Sequence, residues 1–175
     1  MPFSVSSRPP FIENDDTMVQ PVTNVVIAGV GGQGVLKASD ILAEAAFAAG
    51  QDVKKSELHG MSQRGGSVSS DVRFGRKVFS PMVPPGEADF LVVLDARQID
   101  VNRHVLRSEG VIISPDAVDE NALMNKKSAN IALLGVLSRR LPIAEAHWLS
   151  AIRGAFPPKL QEANIQAFHL GRGTT

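Results

Sequence analysis

The chain contains no cysteine. That rules out disulfides, and it rules out any thiolate-held zinc or iron–sulfur cluster on this polypeptide. It also fits a reducing cytosol. No apolar run approaches the ~18 residues that would suggest a membrane span. The first residues lack the basic-then-apolar order of a secretory signal. An excess of charge of one sign is missing too. Eighteen Lys and Arg balance eighteen Asp and Glu, so the totals argue against nucleic acid as a partner. There is no GxSxG turn, no P-loop and no nucleophile beside a base. His104, His147 and His169 are scattered, without ligand spacing to carboxylates, and predict no metal site. These absences describe a cytoplasmic protein with no complete catalytic set of its own.

What is present suits one α/β domain. A length of 175 residues fits a single domain, and a 43% hydrophobic fraction is enough to fill its core. Residues 1–22 read as a flexible tail. They hold Pro2, Pro9, Pro10, Pro21 and the polar run Glu13-Asn14-Asp15-Asp16, and show no periodicity. Disorder and an extended arm over a partner both fit that composition, and Met18 is an alternative start. Residues 23–175 form the expected domain. Val25-Val26-Ile27-Ala28 reads as a buried parallel strand, and Val35 to Ala49 as a helix ended by Gly50. Val53–Leu58 would complete a βαβ unit. Val68–Phe74 and Lys77–Met82 predict an antiparallel hairpin turning at Gly75-Arg76. Phe90–Leu94 and Val111–Ile113 read as further strands, with a helix over Ile99–Arg107 between them. Helices follow around Ile131–Leu141, after Pro142, and from Lys159 to Phe168, the last ending near Gly171. The fold expected is Rossmann-like: a mainly parallel sheet with an inserted antiparallel hairpin and a helical C-terminal end.

Two segments carry chemistry. The first is Gly29-Val30-Gly31-Gly32-Gln33-Gly34, a GxGxxG spelling between a strand and a helix. Such glycines permit a tight turn and bring backbone close to a phosphate at a helix N-terminus. They serve equally as turn and packing residues without any ligand. Glu57, 28 residues after Gly29, stands near where a dinucleotide domain places its ribose-binding acid. A free-standing NAD(P)-binding oxidoreductase or sensor is therefore one reading. The second segment runs Glu57, His59, Gly60, Gln63, Arg64, Gly65, Gly66. It is dense in both glycine and functional groups, as expected of a loop that clasps a phosphate or a partner chain, and also of a solvated connection. Asp95 ends a predicted strand, as a binding residue or as the cap of the next helix. Asn130 and Asn164 read as exposed or capping residues, and Trp148 as packing.

The two loops at this spacing, with Ala88-Asp89, Asn130 before Leu134-Gly135, Pro157-Pro158-Lys159 and Asn164 to Gly171, make residues 24–172 similar to a known family. They resemble the beta subunits of indolepyruvate ferredoxin oxidoreductases, which group with the gamma subunits and domains of pyruvate and 2-oxoacid ferredoxin oxidoreductases. The resemblance implies a subunit, inactive alone, of a complex that converts a 2-oxoacid to an acyl-coenzyme A and reduces ferredoxin. It implies that thiamine diphosphate, magnesium and iron–sulfur clusters sit on a large companion subunit, that coenzyme A is the cosubstrate, and that this chain binds no cofactor alone. Gly29, Gly31, Gly32, Gln33, Gly34 and the second-loop residues are then the expected ligand- or partner-binding positions.

Overall fold

The computed structural model describes residues 21–59 and 66–173. Five strands, β1 (Thr23–Val30), β2 (Asp52–His59), β3 (Ser67–Gly75), β4 (Ala88–Val93) and β5 (Leu106–Ile113), form one sheet in the order β2-β3-β1-β4-β5. β1, β4 and β5 are parallel neighbours, while β3 runs antiparallel to both β1 and β2. Four strands therefore share one direction and one is reversed.

The helix α1 (Val35–Ala48) carries the chain from β1 to β2 along one face of the sheet. Its end is set locally. Gly50 adopts φ 84°, its N–H donates to the Phe47 carbonyl, and Gln51 N–H donates to Ala46. A left-handed residue with that bond pair closes a helix, and glycine takes the conformation without a Cβ penalty. The crossover leaves a gap beside β1, and β3 returns to fill it. An antiparallel hairpin exists, but it is not the one expected at residues 68–82: it pairs β3 with β2, and residues 60–66 join the two. The expectation that Lys77–Met82 is its second strand is wrong. That segment crosses the sheet as an irregular strap, held by side chains described below.

Alternation along β1 divides the core. Val25 and Ile27 face α1 and the C-terminal helices, α3 (Ala129–Ser138), α4 (Glu145–Ala155) and α5 (Pro158–Arg172). Val26 and Ala28 face the smaller second cluster with Val83, Leu91 and Val93. The thin second face is closed by the strap and by α2 (Gln98–Asn102) with a 3-10 turn at Arg103–Val105. The helix expected over Ile99–Arg107 is shorter because the chain enters β5 at Leu106, earlier than its apolar run begins. α3 is buried on every side from Asn130 to Ser138, the state expected of a helix apolar all round. It crosses α5 with backbones in contact at Gly135 and Gly171. α5 therefore runs through Gly171 and ends at Gly173, φ 74°. α4 starts at Glu145, three residues beyond Pro142. Trp148 lies in the core against Phe168, with ring centroids 5.6 Å apart.

Candidate functional site

The direction of the chain reverses between β1 and β4. From β1 it leaves toward β2 on one side, and from β4 toward β5 on the other. In open α/β sheets such a point leaves a crevice at the carboxyl ends of the strands. A cleft of about 510 Å³ lies at these carboxyl ends, lined by the Gly32–Gly34 turn, Lys37, Leu94, Pro115, Glu120, Lys126, Lys127, Asn130 and Phe156 among others.

Each wall has a sequence cause. Gly32 and Gly34 take φ 89° and 84°, the left-handed region where L side chains are strained. Gly34 has a second requirement: a Cβ there would come 2.5 Å from the Asn130 side-chain nitrogen. That nitrogen donates to the Gly34 carbonyl at 3.2 Å. Gly29 leaves room for Gln33, whose Oε1 accepts the Val30 N–H at 2.8 Å. The turn stands at the start of α1, which has no side-chain cap, so the first-turn N–H groups have no intrahelical partner and favour an anion. Lys37 is steered by the Ala155 carbonyl at 3.1 Å and lies 5.4 Å from the Phe156 ring centroid.

Asp95 does not cap α2, whose N-cap is Arg97 without a side-chain cap bond, and it stands one residue beyond Leu94 of the cleft wall. It accepts the Arg97 N–H at 2.9 Å and pairs with the Arg97 guanidinium at 2.6 Å. The Arg97 guanidinium and N–H, with Gln33, hold its carboxyl down to about 2. A depressed folded-state pKa contributes stability above the unfolded value, roughly 3.9, which is lost as pH falls toward the folded value. Asp95→Asn is therefore expected to be less stable than the parent at neutral pH, with the gap closing below about pH 4. Urea midpoints across pH check it: a gap constant down to about pH 2 would assign the effect to shape, not charge.

The glycine segment and the second loop meet. Gly31 N–H donates to the Gly66 carbonyl at 3.0 Å, and β2 and β3 bring the loop to the same end of the sheet as the cleft. His59 closes β2 there. Gly60, Gln63, Arg64 and Gly65 lie outside the described residues. Glu57 is not placed for a ribose. In a dinucleotide domain the acid stands on the strand beside β1, but β3 intervenes here and moves β2 two strand spacings away, roughly 9–10 Å. Glu57 bonds Lys55 at 2.7 Å instead. Asn130 and Asn164 overturn their expected exposure. Both are buried, Asn130 at 7% exposure in the wall of the cleft, and Asn164 bonded to the Leu160 carbonyl. Sequence reasoning did not place Asn130 in the wall of the cleft, and missed Lys37, Lys126 and Lys127 altogether. The adjacent Lys126-Lys127 pair was the available signal. Among the described residues no group of three or more His, Asp or Glu could hold a metal ion, and no helix is long and apolar enough to cross a membrane.

Residues 24–174 match the family model described as pyruvate ferredoxin/flavodoxin oxidoreductase. The chain is 35% identical to the indolepyruvate oxidoreductase subunit IorB of Thermococcus kodakarensis, over 85% of this chain and 93% of that one. It is 33% identical to the common gamma subunit of the pyruvate/ketoisovalerate oxidoreductases of Thermococcus litoralis, over 66% and 65%. In fold it matches the gamma subunit of a keto/oxoacid ferredoxin oxidoreductase from Geobacter sulfurreducens, with TM-score 0.73, 24% identity and coverage of 85% and 95%. It also matches 30% of a longer chain, a 2-oxoglutarate:ferredoxin oxidoreductase from Magnetococcus marinus with 2-oxoglutarate, coenzyme A and succinyl-CoA bound. There the TM-score is 0.76, at 17% identity over 87% of this chain. The chain belongs to the pyruvate ferredoxin/flavodoxin oxidoreductase family, as a small subunit of a 2-oxoacid:ferredoxin oxidoreductase complex.

Proposed function

We propose that this chain closes over the coenzyme A of an indolepyruvate-type 2-oxoacid:ferredoxin oxidoreductase, holding its anionic part in the cleft between the Gly32–Gly34 turn and Lys126-Lys127. The observation that carries the reading is the cleft itself. It lies where this sheet topology places ligands, and Lys37, Lys126 and Lys127 line it with Glu120 as their one acidic companion. The coenzyme A bound to the Magnetococcus marinus enzyme of the same fold supports the ligand class. The anion would meet the first-turn N–H groups of α1 and the lysine ammonium groups, as charge-assisted hydrogen bonds require.

This chain does not fit the other cofactors of such a complex. It has no cysteine for a cluster, and its described residues hold no metal-binding group. Thiamine diphosphate with magnesium, and the iron–sulfur clusters that pass electrons to ferredoxin, are assigned to the large companion subunit. This chain's share is to bind, orient and shield from water. The second loop, with His59, Gly60, Gln63, Arg64, Gly65 and Gly66, faces the companion subunit or the ligand between the chains. Arg64 is its anchor, because a guanidinium holds a carboxylate or phosphate through two parallel hydrogen bonds.

Reconstitution tests this. The pure chain, given thiamine diphosphate, coenzyme A and a viologen acceptor, is expected to show no 2-oxoacid oxidation. The same chain purified with its large subunit is expected to turn over, and Arg64→Ala to lower assembly or turnover without unfolding the chain. Steady turnover by the isolated chain would overturn the assignment.

A further inference from the structure

At the end of the sheet opposite the cleft, residues 76–87 connect β3 to β4 without regular structure. They are nevertheless pinned at several points. Asp52 accepts the Val78 N–H and Asp71 the Val83 N–H, both at 2.8 Å. Arg73 donates to the Ser80 carbonyl at 3.0 Å and the Met82 carbonyl at 3.1 Å, while its Nε is held by Asn24 at 2.8 Å. Asn24 also donates to the Glu87 carbonyl at 3.0 Å. Val78 and Val83 plug the strap into the molecule at 1% and 7% exposure. Between those plugs Phe79 stands 88% exposed and Met82 52% exposed, with Arg76, Lys77, Ser80 and Pro81 also open to solvent.

A mobile loop that shows an aromatic ring needs no explanation. A loop fastened by four side chains that holds a ring outward does, because the fold gains nothing from Phe79 and the fastening leaves little motion for binding to remove. We propose that this strap is the docking element for the large companion subunit, with Phe79 and Met82 seated in an apolar recess whose rim is acidic. Buried aromatic anchors of this kind dominate the energy of protein interfaces. The acidic rim follows from charge: Arg76 and Lys77 flank the knob, and residues 75–83 contain no carboxylate. Companion protein is the occupant that the comparisons favour. A domain of this fold makes up 30% of the Magnetococcus marinus chain, and the chain matches 28% of the ketoisovalerate oxidoreductase subunit VorA of Methanothermobacter marburgensis. In both, the domain is joined to further protein. The inference rests on the chain being a subunit of a complex, and not on what the cleft binds.

The test titrates the full chain against its purified large subunit by calorimetry, with thermal melts of the chain alone. Phe79→Ala is expected to weaken binding at least about thirtyfold, with an unchanged melting temperature. Phe79→Asp is expected to weaken it further, Phe79→Leu to recover part of the loss, and added salt to weaken the parent's binding through Arg76 and Lys77. The coenzyme A dependence of turnover, at concentrations that saturate assembly, is expected to stay as in the parent. Parent-like affinity in both Phe79→Ala and Phe79→Asp would overturn the proposal while leaving the subunit reading intact. No binding by the parent chain would overturn both. A self-associating parent whose dimer is lost in Phe79→Asp, with affinity for the large subunit unchanged, would assign the knob to a second copy and overturn this occupant.

Discussion

Gly171→Ala is expected to lower the melting temperature of the chain by roughly 6–12 °C, as about 3 kcal/mol does for a domain of this size. Two effects oppose each other. Alanine is the better helix former by about 0.8–1.0 kcal/mol. But a Cβ at Gly171 would fall on the Ala132 carbonyl oxygen, far inside van der Waals contact, and lie 3.1 Å from the Val136 nitrogen. Neither neighbour is a side chain that can swing away; both are backbone of α3. α3 and α5 would have to separate, and both belong to the core that carries Trp148, Phe168 and Leu134. Overpacking costs about 1–3 kcal/mol even where side chains can adjust, and displacing two helices costs more, so the clash wins over propensity. Gly135→Ala meets the same barrier from the other helix, at the Phe168 carbonyl and 2.9 Å from the Arg172 nitrogen. Gly154 supplies the control. It sits in the last turn of α4, where a Cβ would meet nothing within 4 Å, so Gly154→Ala is expected to be neutral or to stabilise by less than about 1 kcal/mol. Differential calorimetry of the three variants decides the matter. A Gly171→Ala melt at or above the parent's would mean the two helices do not touch.

That crossing also marks where sequence reading runs out. β1, its glycine turn and α1 are legible because their signals are local: an apolar run, a GxGxxG spelling, a helical period and a terminating Gly50. Gly171 looks like a helix end for the same local reason. Its actual role is set by Ala132, far away in the chain. The strap misleads likewise. Lys77 to Met82 reads acceptably as a strand, and what prevents pairing is that Asp52, Asp71 and Arg73 take up its backbone groups first. β3 already has two partners in β1 and β2, leaving no free edge for a third. In the cleft, the glycine segment is legible as a turn. Asn130 is not, since its partner Gly34 is 96 residues away. Lys126 and Lys127 are legible only as an adjacent charge pair, and their place in the cleft is set by the turn that leads into α3.

Those two lysines carry the second large expectation. Replacing both, Lys126→Ala with Lys127→Ala, is expected to raise the KM for coenzyme A in the assembled complex by about ten- to a hundredfold, the range of one lost charge-assisted hydrogen bond at ~1.5–3 kcal/mol. The upper end requires the companion subunit to exclude water from the cleft. Both side chains are exposed in the isolated chain, where an open ion pair contributes only about 0–1 kcal/mol. Lys37 is a weaker lever, since the Ala155 carbonyl and the Phe156 ring already engage its ammonium group. The kinetic signature separates binding from chemistry. A lysine that holds a remote phosphate equally in the ground and transition states raises KM and leaves kcat unchanged. The KM for the 2-oxoacid should stay at the parent value, and the penalty should shrink as salt screens the parent's own lysines. The chain should still fold and assemble, because neither lysine supports the core and the docking strap lies at the other end of the sheet. Steady-state kinetics with coenzyme A varied at saturating 2-oxoacid, repeated at two ionic strengths, checks each of these points. An unchanged KM for coenzyme A in the double variant would remove the cleft from coenzyme A binding and leave the turn at Gly32–Gly34 with a purely structural role.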